Sequence, residues 1–163
     1  MKTLLLLRHA KSSWKDSGVD DHDRPLNQRG KRDAPRMGQL LKDESLLPDF
    51  ILSSSAKRAR RTAECVAQYS GYRGETRVTS ELYAADPDAI REVIRATPDT
   101  VARLLVVGHN PGFEELLEQL TSAYTPLSAG ALARFDLEIE AWSQFGPEVQ
   151  SPLTTLWQPR ELA

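Results

Sequence analysis

Four consecutive leucines, Leu4 to Leu7, stop abruptly on Arg8 and His9. An apolar run of this length with no polar alternation is the pattern of a strand buried on both faces, as in a parallel sheet. Such a strand delivers the two polar residues to its own C-terminal edge, where open α/β sheets form their ligand crevices. The pattern recurs in Leu104-Leu105-Val106-Val107-Gly108-His109-Asn110. Two of the three histidines therefore lie just past the ends of apolar strands. That placement makes them candidate active-site residues.

The segments between these strands suit the same architecture. Apolar or small residues at Ala34, Met37, Gly38 and Leu41 predict a helix that begins near Asn27 or Asp33, with Pro35 in its first turn or at a kink. Phe50-Ile51-Leu52 reads as a second buried strand, running into Ser53-Ser54-Ser55 and a helix over about 56–69 whose first turns carry Lys57, Arg58, Arg60 and Arg61. Cations at a helix N-terminus oppose its dipole, so this cluster needs solvent or an anion. A weaker strand is predicted near Arg77-Val78-Thr79. Asp86-Pro87 reads as a cap-and-first-turn pair for the next helix, and Asn110-Pro111 as another. Phe113, Leu116, Leu117 and Leu120 form a regular apolar stripe. Alternation over residues 130–140 predicts an antiparallel strand at the sheet edge, and Thr154 to Trp157 could add a last one. The β-α alternation implies a three-layer, doubly wound, mostly parallel α/β fold with an antiparallel edge strand. A length of 163 residues suits one domain over 1–163.

Composition removes several function classes. The net charge is -2, so no global field draws the chain to nucleic acid or to an anionic membrane. The basic residues Arg29, Lys31, Arg32 and Arg36 have no interleaved aromatics, which is the pattern of a solvated surface. The leucine run after Met1-Lys2 ends too soon for a signal peptide, and no stretch approaches the roughly 20 apolar residues of a membrane span. A single cysteine, Cys65, suits a reducing cytoplasm.

Three predicted strand ends thus share one edge: Arg8-His9, the serines leading to Arg58, and His109-Asn110. Guanidinium forks, imidazoles, hydroxyls and helix N-termini are the inventory of a phosphate site. The acidic loop Asp20-Asp21-His22-Asp23 has metal-ligand residue types, yet contiguous acids and one histidine in a loop are more often solvated than coordinating, so no metal is read there. Trp14 is assigned either to the mouth of this site or to core packing.

These motifs resemble a known family. Leu7-Arg8-His9-Ala10-Lys11-Ser12 is similar to the signature of the histidine phosphatase superfamily, the phosphoglycerate mutase-like enzymes. Ser54-Ser55-Ala56-Lys57-Arg58-Ala59-Arg60-Arg61-Thr62-Ala63 resembles the second block of that family, and Gly108-His109-Asn110-Pro111-Gly112 the third. The form of the third block, the short chain and Asp21 to Gly30 resemble the SixA branch of phosphohistidine phosphatases. The resemblance implies a phosphoglycerate mutase-like fold and a phosphorylated His9 intermediate. It also implies phosphate held by Arg8, Arg58 and His109, with Asn110 beside them, and neither metal nor cofactor. The same resemblance places the acidic loop, Asp20 to Asp23, at the rim of the cleft. A neutral His9 would act as nucleophile and His109 would serve best protonated, as an anion ligand.

Two departures are noted. Ala10 replaces the usual glycine, and Lys15 stands where the mutases carry asparagine, as a possible extra phosphate contact. Glu81, with Asp86 behind it, is the candidate general acid. The reading is a phosphatase for phosphohistidine on a protein, in an open, shallow cleft. A small-molecule phosphomonoesterase using Glu81 and a non-catalytic phosphate-binding module are the alternatives; a mutase finds too little chain to enclose its donor.

Overall fold

In the computed structural model, which describes residues 1–162, the leucine run forms β1 (Lys2–Arg8), near the middle of a mixed sheet. Along the chain follow α1 (Gln28–Asp43), β2 (Phe50–Ser54), α2 (Lys57–Ser70), β3 (Thr76–Thr79), α3 (Pro87–Arg95), β4 (Arg103–Gly108), α4 (Gly112–Thr121), β5 (Leu132–Leu137) and β6 (Thr155–Trp157). The spatial order is β3-β2-β4-β1-β5-β6. β1 to β4 are parallel; β5 pairs antiparallel with β1, and β6 pairs antiparallel with β5, so that β6 runs in the direction of β1. The antiparallel strand read over 130–140 is present, but β6 takes the outermost position and β5 lies inside it.

The run of leucines is explained by the two cores it serves. Leu4 and Leu6 pack on one face with Leu104, Val106, Phe113, Leu117 and Trp142. Leu5 and Leu7 pack on the other with Met37, Leu41, Ala63, Val66, Leu105 and Val107. Side chains alternate between faces along a strand, so a strand covered on both sides has no position left for a polar residue. The helices make this the three-layer, mostly parallel α/β arrangement that the strand and helix order implies.

Local chemistry sets the helix ends. Asn27 caps α1, its Oδ1 accepting from Gly30 N at 2.9 Å, and Asp86 caps α3 by accepting from Ala89 N at 2.9 Å. α2 ends on Gly71 in the left-handed conformation (φ 83°), which glycine adopts without a Cβ clash. Two readings are narrowed or corrected. Of the two places read for Pro35 the first turn is excluded, since it lies in the interior of α1; the carbonyl it leaves without a donor is that of Lys31, an exposed residue that water can serve. Asn110 does not cap α4. That helix begins at Gly112 with Pro111 at the N-cap, because the Asn110 side chain instead donates to Leu127 O at 3.0 Å. Among the described residues no helix is long and apolar enough to cross a membrane.

The start of α1 fastens the segment that follows β1. Asn27 N donates to Lys11 O at 3.0 Å, and a Cβ on Gly30 would fall 2.1 Å from that same oxygen. Gly30→Ala is therefore expected to destabilise the fold by about 1–3 kcal/mol through overpacking of two backbone segments. A urea unfolding midpoint equal to the wild type would refute this.

Candidate active site

The parallel pairing of β1 with β4 sets Arg8 opposite Gly108, and His9 N donates to Gly108 O at 3.0 Å. His9 and His109 therefore leave the sheet side by side, their ring centroids 5.0 Å apart. β2 ends beside β4, with Ser53 opposite Val107, which brings Ser54 to the same edge. The first turn of α2 adds Arg58, itself only 5% exposed. His9, His109 and Arg58 line a cavity of about 650 Å³ together with Arg8, Lys11, Ser12, Trp14, Asp21, Arg24, Tyr83 and Asn110, with Ser54 buried behind it.

His9 is held in one tautomer. Its Nδ1 lies 2.7 Å from Ala10 O, and a carbonyl can only accept, so Nδ1 carries the proton. Nε2 keeps its lone pair, and Arg58 Nε, which can only donate, approaches it at 3.4 Å. Burial is the largest influence on the imidazole. With the charges of His109, Arg58 and Arg8 it pushes the His9 pKa down to about 3, against the opposing pull of the Ala10 bond. The result is a neutral, oriented nitrogen nucleophile.

His109 Nε2 lies 2.7 Å from Ser54 Oγ, whose oxygen also accepts from Ala56 N at 3.2 Å. Burial, then Arg58 and Arg8, push the His109 pKa down to about 4, although Asp21 pulls it up. Both imidazoles are thus neutral at pH 7. The negative charge of a bound dianion would favour the protonated His109 expected of an anion ligand.

The arginines are pre-aimed by different partners. Arg8 Nη1 donates to Leu127 O at 2.8 Å, and its buried Nε has no partner. Arg58 Nη1 donates to Asp21 O at 2.6 Å and Nη2 to Asp21 Oδ2 at 3.1 Å. The same carboxylate accepts from Tyr83 Oη at 2.5 Å and, through Oδ1, from Arg24 Nε at 3.1 Å. The Tyr83 hydrogen bond above all, then Arg24 and Arg58, hold the Asp21 carboxyl far below the usual carboxylate range. Arg24 is buried, also donating to Ser12 Oγ at 2.7 Å, and its guanidinium lies 3.4 Å from the centroid of the Trp14 ring. Trp14 is 75% exposed, which settles it at the cavity mouth and not in the core.

The structure brings together Arg8, His9, Arg58, His109 and Asn110 but not all the expected residues. Glu81 is corrected: it lies in a short 3-10 turn after β3, exposed, lining a separate small hollow with Arg77 and Glu92. Asp86 is committed to capping α3. Lys15 is exposed on the loop and does not line the cavity; Lys11 supplies the extra cation there. Sequence reasoning missed Arg24 and Tyr83. Tyr83 stands two positions beyond Glu81, on the side of the turn that faces His109, with ring centroids 5.7 Å apart.

Comparison with known proteins gives the family. Residues 4–86 match the family model for the histidine phosphatase superfamily (branch 1). An uncharacterized chloroplastic protein of Arabidopsis thaliana is 33% identical over 153 residues, spanning 88% of this chain and 70% of that protein. An uncharacterized protein of Mycobacterium tuberculosis is 40% identical over 116 residues, 71% of this chain and 70% of its own. A solved structure from Nakamurella multipartitia, assigned as the phosphohistidine phosphatase SixA, superposes with a TM-score of 0.82 at 29% identity, covering 97% of this chain and 96% of that one.

The depressed histidine pKa values carry a sign for stability. A histidine whose folded pKa lies below its unfolded value near 6.5 binds protons preferentially when unfolded. His9 and His109 therefore take stability away progressively as pH falls from about 6.5 towards the folded values of about 3 and about 4. Urea titrations at pH 7.5, 5.5 and 4.5 should show this loss, and His9→Gln should show less of it. An equal loss in the variant would contradict a buried neutral His9.

Proposed function

Because the chain belongs to the histidine phosphatase superfamily, we propose that it hydrolyses phosphohistidine on a protein substrate through a phosphorylated His9. The observation that carries this reading is the neutral, tautomer-fixed His9 Nε2 beside Arg58. Phosphate binding alone would not require such a nitrogen. The Nakamurella structure assigned as SixA supports the choice of substrate class.

The proposed chemistry has two transfers. His9 Nε2 attacks phosphorus in line; the new N–P bond forms as the bond from phosphorus to the substrate imidazole breaks. The positive charge that develops on the His9 ring is stabilised by the Nδ1–H bond to Ala10 O. Arg8, Arg58 and His109, with Asn110 beside them, hold the non-bridging oxygens, a role that needs no metal or cofactor. Water then attacks the phosphoenzyme, releasing inorganic phosphate and restoring His9.

Leaving-group chemistry favours a phosphoramidate. A protonated imidazole departs without further help, whereas an alkoxide needs an acid. Asp21 cannot serve, since three donors keep it ionised. A second reading, a small-molecule phosphomonoesterase, rests on Glu115, an exposed carboxylate on the cavity wall at the first turn of α4. A single domain acting in the reducing cytoplasm, without nucleic acid or membrane partners, completes the proposal.

The test is hydrolysis of a histidine-phosphorylated protein beside a panel of phosphomonoesters. Faster turnover of the phosphohistidine protein is expected, with His9→Ala inactive and Arg58→Ala reduced by about 10²–10³ in kcat. Glu81→Gln should stay within about twofold of the wild type, the size of ordinary surface effects. Preference for one ester, lost in Glu115→Gln, would move the function to the second reading.

A further inference from the structure

A second hollow, of about 160 Å³, adjoins the catalytic cavity and shares Lys11, Ser128 and Ala129 with it. Three segments distant in sequence converge on it. The loop after β1 brings Lys11, the first turn of α1 brings Arg29, and the 3-10 turn Pro159–Glu161 brings Arg160. Its one acidic lining residue, Asp33, is 5% exposed and already divided between Arg29 at 3.6 Å and Arg36 at 3.7 Å. Among the described residues neither Lys11 nor Arg160 makes an ion pair. The hollow thus gathers three cations around one shared carboxylate.

We infer that this hollow is an anion subsite for acidic side chains flanking the phosphohistidine of the substrate protein. The inference rests on the phosphohistidine reading and adds to it the character of the substrate chain. Lys11, Ser128 and Ala129 line both hollows, so the two lie side by side, and a polypeptide that seats its phosphoryl group at His9 can lay a neighbouring residue over that wall into the second. Carboxylates there relieve the mutual repulsion of Lys11, Arg29 and Arg160, which burial of Asp33 beneath Arg29 leaves uncompensated. Exposed cations are screened within about a Debye length, roughly 8 Å at physiological salt, so the contribution is local and salt-sensitive.

The experiment compares two peptides that each carry one phosphohistidine, flanked either by Asp and Glu or by Ser and Gly, with phosphoramidate as a small control substrate. The variant is Arg29→Gln/Arg160→Gln, which leaves Asp33 its Arg36 partner. The wild type should favour the acidic peptide by about tenfold in kcat/KM, through KM, and the preference should shrink as salt rises. The variant should lose the preference yet hydrolyse phosphoramidate at the wild-type rate, and Arg29→Lys/Arg160→Lys should restore it. Equal use of the two peptides by the wild type, or a preference that survives in the double Gln variant, overturns the subsite. If no phosphohistidine substrate turns over, the catalytic reading fails by itself, and calorimetric titration with the unphosphorylated acidic peptide decides the subsite. Binding by the wild type that is lost in the variant upholds it; no binding by the wild type overturns it. Tighter binding of pyrophosphate than of the acidic peptide, abolished in the same variant, also overturns the proposal in favour of a small second phosphate.

Discussion

The parallel register between β1 and β4 is the constraint from which the site follows. It places Arg8 against Gly108 and lets His9 N reach Gly108 O, so the two histidines emerge as neighbours. That register is enforced at the ends of the leucine run. A slip of one residue leaves leucine facing both cores in the middle, but it carries Thr3 or Arg8 into a position that is now fully buried. Burying a guanidinium without a partner costs far more than the hydrogen bonds at the strand end could return, and the imidazoles inherit the spacing that results.

Charge in the cavity is settled by how far each group starts from neutrality. Burial disfavours every charged form, but an arginine begins far above neutral pH and a histidine near 6.5. The same desolvation that lowers Arg8 leaves it protonated, while it carries His9 and His109 out of the physiological range. The division into fixed cations and a neutral nucleophile thus needs no special device for His9 beyond its bond to Ala10 O. Asp21 offsets part of the arginine charge and orients Arg58.

What could be read from the chain is what depends on local pattern. Strand ends at Arg8-His9 and His109, the basic first turn carrying Arg58, and the Asp86-Pro87 helix start are all short-range signals. The rim role of the acidic loop also agrees with the fold. What escaped depends on contacts between distant segments. Asp21 meets Tyr83 across 62 positions, and Arg24 is buried only because Ser12 and Trp14 fold back over it. Glu81 and Lys15 show the complementary error, since the right segment does not fix which side chain turns inward. Asn110-Pro111 has the composition of a cap, yet Leu127 O is the better-placed partner for the Asn110 amide. The depth at which His109 is buried, which lowers its pKa, is likewise a tertiary property.

The clasp between Asp21 and Arg58 has a consequence for turnover under the role proposed for Arg58. The resting cavity is not a bare cation waiting for any anion; its arginine is already engaged, by a carboxylate tethered in the same molecule and present at high effective concentration. An entering group would compete with it. A compact dianion that met Arg8, Arg58 and the imidazoles together would compete better than a monoanion. The competition would also run backwards at the end of the reaction: as inorganic phosphate loosened, Asp21 could take back Arg58. Selective entry and ready release would then be two directions of one competition.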